Sequence, residues 1–354
     1  VAPALSAVSE LRNVLRTEPA RGVAHLSDRV TLRVHASEAQ AWGNALFAWT
    51  GDAAHVTAVE QRARERGASL SEAAFADEPA LYARAGLPWV PPELRRAELA
   101  LESLETPGAT ELLETSDLRG LVHCHTTFSD GRNSVLEMAR AAEALGMQYL
   151  TITDHSPAAQ YARGVSVDEL RRQWDEIAAA QEQVSVRLLR GVESDILREG
   201  ELDYPDAVLE QLDVIIASIH SRHRLGREDM TRRIQRALGL PLFKIWGHGL
   251  GRILNHREPI DCDVPAILDT LAQSRGAIEL NADPHRLDLP PAWIPAAKAR
   301  GIPFVVSVDA HSTQGFGVLR YGVTMARRGG LRAAHVLNTL PANEFAARVK
   351  PIGG

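Results

Sequence analysis

Acidic and imidazole side chains recur at the ends of apolar segments in the second half of the chain. The first such segment runs Leu121-Val122-His123-Cys124-His125, and Asp130 follows on an Asp-Gly turn. Residues two apart in a strand face the same side, so His123 and His125 are expected to point together and Cys124 away. Two imidazoles on one face, with a carboxylate on the next turn, are typical of part of a metal site.

Later apolar segments end in the same residue types, and together they give nine candidate metal ligands. These are His123, His125, Asp130, His155, Glu193, His220, His248, Asp309 and His311. Nine ligands exceed what one tetrahedral ion needs, so two or three ions that share carboxylates fit better. A set of imidazoles and carboxylates without thiolates suits Zn²⁺, Mn²⁺ or Fe²⁺. Clustered divalent ions activate water and stabilise phosphoryl oxygens, which indicates hydrolysis of a phosphate ester.

The elements that must position these ligands are seven short strands that alternate with helices from residue 118 onward. The predicted strands are Leu121–His123, Tyr149–Thr153, Arg187–Val192, Val214–Ser218, Phe243–Trp246, Ala277–Leu280 and Phe304–Val308. Alternating strands and helices predict a parallel sheet, and seven evenly spaced strands favour an α/β fold of the (β/α)7 barrel type. Active sites of such barrels lie at the carboxyl ends of the strands, where nearly all of the candidate ligands fall.

Three further side chains near these strand ends are candidate catalytic residues. Asp154 precedes His155 and should point the opposite way, which predicts that it orients a ligand from behind. Arg222 and Arg252 lie just past two strand ends, where a guanidinium could hold a phosphate bidentately. A surface salt bridge is the alternative for each arginine. His223 and His285 also lie near the rim and could contact substrate.

Residues 1–97 have a different pattern and offer no catalytic cluster. Val30–Val34 alternates like a strand, and Glu38–Trp49, Ala53–Gly67 and Glu78–Ala85 have helical spacing. The segment is predicted to be a small α+β domain. Residues 98–117, rich in Glu and Leu, are predicted to be a linker, and residues 118–354 to be the barrel domain.

The composition of the chain limits the classes of protein to which it can belong. Apolar residues make up 45% of the 354, charged residues 24%, and the formal net charge is −6. These values are ordinary for a globular protein and do not by themselves indicate a nucleic-acid binder. Two cysteines cannot form a disulfide framework, and no long apolar run is present, so we expect a cytoplasmic protein with no membrane contact. The oligomeric state is not indicated.

The ligand motifs resemble those of the PHP (polymerase and histidinol phosphatase) family. The matching segments are His123-Cys124-His125, Ser129-Asp130-Gly131, Thr153-Asp154-His155, Gly191-Val192-Glu193, His220, His248 and Asp309-Ala310-His311. The resemblance implies a distorted seven-stranded barrel with three divalent metal ions. It implies one ion held by His123, His125, Glu193 and Asp309, a second by Glu193, His220 and His248, and a third by Asp130, His155 and His311.

Other motifs narrow this resemblance to the PHP domain and thumb of bacterial family X DNA polymerases. They are Glu279–Leu289, Ser307–Thr313, Arg320–Val323, the Trp49-Thr50-Gly51 turn and Leu87–Arg95. The resemblance makes residues 1–97 a degenerate palm and thumb. Thr31 lies where the family has a metal-binding Asp, and a hydroxyl cannot replace a carboxylate in a two-metal site. We therefore expect no polymerase activity.

Three functions are compatible with these residues. The first is a metal-dependent phosphoesterase that acts on DNA 3′ ends, as a 3′-5′ exonuclease or a 3′-phosphatase. The second is a phosphatase for a small metabolite such as histidinol phosphate or a nucleoside monophosphate. The third is a non-catalytic DNA-repair interaction module, which the complete ligand set argues against.

Overall fold

The computed structural model describes residues 13–17, 21–27, 30–97 and 99–352. The chain divides into two compact units, residues 1–111 and residues 112–354. Glu98, the first residue of the predicted linker, lies outside the described residues.

The first unit contains a small antiparallel sheet and three helices of seven residues or more. Its strands are β1 (Asn13–Thr17), β2 (Arg21–Ser27) and β3 (Val30–His35), paired in that order. Its helices are α1 (Trp42–Thr50), α2 (Ala53–Glu65), α3 (Glu78–Arg84) and the single turn α4 (Leu101–Leu104). Asp52 and Asp77 cap α2 and α3 by accepting backbone N–H groups, which sets where these helices begin. The elements predicted in this segment are therefore present with small shifts at their ends.

The second unit is a seven-stranded parallel sheet that curves toward closure. Its strands run in chain order across the sheet: β4 (Gly120–Leu121), β5 (Tyr149–Ile152), β6 (Arg187–Asp195), β7 (Val214–Ser218), β8 (Lys244–Trp246), β9 (Gly276–Asn281) and β10 (Phe304–Ser307). The two edge strands meet beyond their ends through a bridge between Cys124 and Ala310. The His125 amide donates to the Ala310 carbonyl at 2.9 Å, and the Ala310 amide to the His123 carbonyl at 3.0 Å. The predicted (β/α)7 barrel is confirmed.

Helices connect the strands, as the alternating pattern predicts. They are α5 (Val135–Ala144), α6 (Val167–Gln181), α7 (Asp206–Leu209), α8 (Arg227–Leu238), α9 (Val264–Ala272) and α10 (Ile294–Ala299). Ser134 and Ser166 form capping boxes with Glu137 and Glu169, which fixes the starts of α5 and α6. Two helices after the last strand, α11 (Leu319–Arg328) and α12 (Ala342–Val349), were not predicted.

The barrel interior is apolar at one end and polar at the other. Side chains such as Val122, Leu189, Ile216 and Val305 form one core cluster with Phe345 of α12. Phe345 stacks on Tyr149 with ring centroids 4.5 Å apart, so α12 covers the amino ends of the strands. The carboxyl ends of the strands carry polar residues. Among the described residues, no helix has both the length and the apolar character that a membrane span requires.

Candidate metal centre

The nine candidate ligands meet at the carboxyl ends of the barrel strands. Glu193, on β6, lies in the middle of them and is 1% exposed. Its two carboxylate oxygens face different imidazoles. Oε1 lies 2.8 Å from His248 Nε2 and 3.2 Å from His220 Nε2. Oε2 lies 2.9 Å from His155 Nδ1 and 3.4 Å from His123 Nε2.

Two further carboxylates collect the remaining imidazoles. Asp309 Oδ1 lies 3.3 Å from His125 Nε2 and 3.6 Å from His123 Nε2. Asp130 Oδ2 lies 3.4 Å from His311 Nε2 and 3.7 Å from His155 Nε2. The structure thus brings all nine residues together. Three groups have atoms close enough to share an ion: His125, Asp130, His155 and His311; His123, His125 and Asp309; and His155, Glu193 and His220.

The backbone at this rim turns sharply to aim the ligands. The strand β4 ends at Leu121, and His123 has a φ of 69°, so the alternation argument used for His123 and His125 does not hold. Their rings nevertheless lie 5.1 Å apart. His248 and Asp309 also have positive φ values, 24° and 48°. Such left-handed conformations cost about 1–3 kcal/mol each in non-glycine residues and cluster at functional sites. Cys124 is fully buried in the core.

Unpaired polar atoms test whether these residues fit metal ions. Six of the nine residues have buried nitrogen or oxygen atoms, seven in all, that form no hydrogen bond within the described residues. They are His123 Nε2, both ring nitrogens of His125, His155 Nδ1, Glu193 Oε2, His220 Nε2 and His248 Nδ1. Buried polar groups are normally paired, and most of these atoms face the same centre. The donor set therefore fits divalent cations.

The pKa values of the buried carboxylates also fit a metal site. Burial acts to raise the pKa of Glu193, but His220, His123 and His155 outweigh it and hold this pKa well below its usual range. The pKa of Asp309 is likewise held well below its usual range, because His123 and other cationic neighbours outweigh burial. The carboxylates are therefore ionised at neutral pH, as metal ligands must be.

Two buried carboxylates behind the ligands were missed by the sequence analysis. Glu279 Oε1 accepts from His123 Nδ1 at 2.6 Å, and Oε2 accepts from the His248 amide. Asp195 Oδ2 lies 3.1 Å from His220 Nδ1. Carboxylates in this position fix the tautomer and orientation of metal-binding histidines. A sequence signal existed for both, because Glu279 interrupts an apolar strand and Asp195 follows Glu193 at strand spacing.

The structure shows what Asp154 and Arg252 contact, and their predicted catalytic roles stay predictions. Asp154 accepts hydrogen bonds from the Thr126 hydroxyl and the Gln173 amide, each at 2.6 Å, and from the Ser129 hydroxyl. It holds the turn before Asp130 through Ser129, which would orient this candidate ligand indirectly. Arg252 donates to the carbonyls of residues 286 and 287, so its guanidinium anchors a loop. Arg222 is exposed, and its predicted role in phosphate binding stays a prediction.

Arg286 and Tyr161 are the rim residues that sequence reasoning did not single out. Arg286 Nε lies 3.4 Å from Asp309 Oδ2, and its side chain is 21% exposed. The pKa of Arg286 is raised, because Asp309 and Glu193 outweigh burial, so its charge is firmly held. Tyr161 is 70% exposed, and its ring lies edge-on to His155 and His220 at about 6 Å. Both side chains border the space above the ligands.

Comparison with protein families matches both units of the chain. A PHP domain profile matches residues 122–282, which include seven of the nine candidate ligands. A DNA polymerase beta thumb profile matches residues 45–96, which include α2, α3 and most of α1.

Two curated relatives show how far these similarities extend. The DNA polymerase/3′-5′ exonuclease PolX of Bacillus subtilis is 35% identical over 317 residues, 86% of this chain and 55% of that protein. The chain thus spans about half the length of that relative. A probable phosphatase of Thermoanaerobacter pseudethanolicus is 28% identical over 229 residues, 61% of this chain and 89% of that protein.

A solved structure is also similar, though distantly. It is the histidinol phosphate phosphatase of Lactococcus lactis, complexed with zinc, L-histidinol and phosphate. The two chains are 16% identical, with a TM-score of 0.41, over 60% of this chain and 94% of the other.

Proposed function

Because the chain belongs to the PHP family and carries a DNA polymerase beta thumb domain, we propose that it is a metal-dependent phosphoesterase acting on DNA 3′ ends. It would act as a 3′-5′ exonuclease or a 3′-phosphatase, without polymerase activity. The observation that carries the proposal is the convergence of nine imidazole and carboxylate side chains on one rim, with unpaired ring nitrogens facing its centre.

The contacts support part of the proposed assignment of the ligands to three ions, although His155 groups with Glu193 and His220 as well as with Asp130 and His311. His220 and His248 share Glu193 Oε1, whereas His123 and His125 lie on the side of Oε2 and Asp309. Glu193 would then supply a ligand oxygen to each of two ions. Asp130, His155 and His311 form the third group. Divalent ions held there would stabilise charge on the phosphoryl oxygens and lower the pKa of water, the chemistry that ester hydrolysis needs.

The side chains of the protein hold and orient the ester. Arg286 already pairs with Asp309 at the edge of the site, and its Nη atoms make no hydrogen bond within the part of the chain described. They are available to a phosphate oxygen, which guanidinium groups bind in a planar, bidentate manner. We therefore expect Arg286→Ala to lower kcat/KM for every phosphate ester, with Arg286→Lys in between.

The thumb domain and the relative named as a polymerase and exonuclease favour DNA as the substrate. The relatives named as probable phosphatases favour a small phosphate ester as the second candidate, because the same rim would serve either. Thr31 lies on β3 with its hydroxyl 3.4 Å from His25 Nδ1, and its side chain cannot serve as a carboxylate ligand for nucleotide transfer.

One comparison of substrates tests the proposal. The chain is loaded with Mn²⁺ or Zn²⁺ and assayed on 3′-labelled DNA, histidinol phosphate and an aryl phosphate. We expect release of the 3′ label, abolished in Glu193→Ala. Turnover of the small esters alone would contradict the DNA assignment, and no turnover of any substrate would contradict the enzyme assignment.

A further inference from the structure

Positive charge is concentrated in the segment that follows His220. Residues 221–257 contain nine Lys and Arg against two Asp and Glu, a net charge of +7 in a chain whose formal net charge is −6. This segment includes α8 and the loops on either side of it. Arg233 and Lys244 are buried against backbone carbonyls, so the seven basic residues that remain at least partly exposed outnumber the two acidic ones by five. Such a local concentration in an acidic chain attracts a polyanion through the field it creates.

A buried arginine fixes α8 beside the metal centre. Arg233 is 2% exposed and donates from Nε to the Leu197 carbonyl at 2.9 Å and from Nη1 to the Ser221 carbonyl at 3.0 Å. It also donates to the carbonyl of Ile196. Ser221 directly follows the candidate ligand His220, and Ile196 directly follows Asp195, which holds the ring of His220. The helix is therefore tied to the same two strand ends that carry the centre.

A cavity of about 150 Å³ opens between α8 and the loop after β6. Four arginines line it against only two carboxylates, those of Glu199 and Asp229. Three of the arginines are exposed: Arg198 at 65%, Arg232 at 59% and Arg236 at 57%. We call Arg198, Arg232 and Arg236 the arginine face.

The ion pairs of the arginine face are weak and exchangeable. Arg198 and Arg236 share one carboxylate, Glu199, at 3.5 and 3.6 Å, and Arg232 lies 3.3 Å from Asp229. Exposed pairs of this kind contribute about 0–1 kcal/mol each. A phosphate binds a guanidinium through two parallel hydrogen bonds. It therefore competes well with Glu199 and Asp229 for these arginines.

We propose that the arginine face binds backbone phosphates of a single DNA strand whose 3′ end lies in the metal centre. This inference rests on the proposed function and adds the path of the strand. The helix α8 has 12 residues and is thus about 18 Å long, enough to follow several nucleotides. It also supplies the local basic surface that the overall charge of the chain does not indicate.

Binding of a labelled oligonucleotide tests the proposal without catalysis. The full chain is titrated with a fluorescein-labelled oligo(dT) in EDTA, at several salt concentrations, and anisotropy is measured. The test variant is R198Q/R232Q/R236Q. The matched control is R140Q/R171Q/R172Q, which removes three exposed arginines from α5 and α6. Glutamine removes the charge and keeps a polar side chain, and because it shortens the side chain equally in both variants, the control accounts for the change in length.

We expect the test variant to bind the oligonucleotide at least about tenfold more weakly at low salt. The slope of log K against log salt should fall by about 2, since each single-strand phosphate contact contributes about 0.7. The control should bind like the wild type. Equal affinity of wild type and test variant, or an equal loss in the control, would overturn the proposal. If poly-L-glutamate at equal charge displaces the oligonucleotide, the arginine face binds an acidic protein rather than DNA. This result would also overturn the proposal.

Hydrolysis measured in parallel separates this inference from the proposed function. The metal-loaded test variant should turn over an aryl phosphate at the wild-type rate but lose at least tenfold in kcat/KM on 3′-labelled DNA. An equal loss on both substrates would mean that the substitutions damage the centre, which contradicts a role confined to the strand. If the wild type hydrolyses nothing, the proposed function fails, while the anisotropy titration still decides whether the arginine face binds DNA.

Discussion

Replacing Glu279 by glutamine should weaken the metal centre without removing a ligand. Glu279 is fully buried and reaches two candidate ligands at once, the ring of His123 and the backbone of His248. Its carboxylate holds His123 with Nδ1 as the donor, which leaves Nε2 facing Glu193 and Asp309. Glutamine has the same shape but only one acceptor oxygen, so its NH₂ group must face a donor on one side.

The size of the effect follows from these contacts. A hydrogen bond to a charged group contributes about 1.5–3 kcal/mol. Changes behind metal-binding histidines typically cost about 10–100-fold in metal affinity or activity. Because Glu279 supports two ligands, we expect Glu279→Gln to lie toward the upper part of that range, a loss of about 2–3 kcal/mol in binding free energy for the affected ion.

Competition with a chromophoric chelator measures this affinity directly in the full chain. The control is Glu182→Gln, an exposed glutamate after α6. Circular dichroism of the metal-free proteins shows whether the variant still folds. A folded Glu279→Gln variant that binds metal as tightly as the wild type would refute the positioning role.

Three smaller predictions follow from other buried polar groups. Asp195→Asn should weaken metal binding less than Glu279→Gln, because Asp195 supports one ligand, His220; chelator competition compares the two. Burial, aided by Arg95, lowers the pKa of His55 to about 4, so the unfolded chain binds an extra proton below pH 6.5. The first unit should therefore lose up to about 3 kcal/mol between pH 6.5 and 4, and His55→Gln should lack this loss in urea unfolding followed by hydrogen exchange. Burial, aided by Arg275, lowers the pKa of Lys244 to about 8, so the wild type should gain up to about 3 kcal/mol relative to Lys244→Met as pH rises from 8 to 10.5. A pH-independent difference in the free energy of unfolding between those two proteins would contradict the assignment.

The sequence predicted the barrel well because its strands are short apolar runs separated by clear helix signals. The predicted strand Val214–Ser218 agrees with β7, and the others differ by a few residues at their ends. The helix α12 was not predicted because its apolar face is short. Its packing is visible only in the fold, where Phe345 contacts Tyr149, nearly two hundred residues earlier.

The candidate site was predictable as a set of residues but not as a geometry. Residue type and position at strand ends were enough to name all nine candidate ligands that the structure brings together. The prediction of alternation failed at His123, because its positive φ depends on the closure of the barrel between Cys124 and Ala310. The contacts of Arg252 could not be predicted for a similar reason. Only the folded loop shows that its guanidinium is bound to carbonyls while Arg286 reaches Asp309.

Metal content, measured together with DNA hydrolysis in wild type and Glu193→Ala, tests the central claim most directly. Glu193 lies within 4 Å of five imidazoles through its two oxygens, so its loss should release more than one ion. We expect at least two, and up to three, divalent ions per wild-type chain, release of the 3′ label from DNA, and loss of both in Glu193→Ala. Fewer than two ions in the wild type, or a Glu193→Ala variant that behaves like it, would contradict a multinuclear phosphoesterase centre.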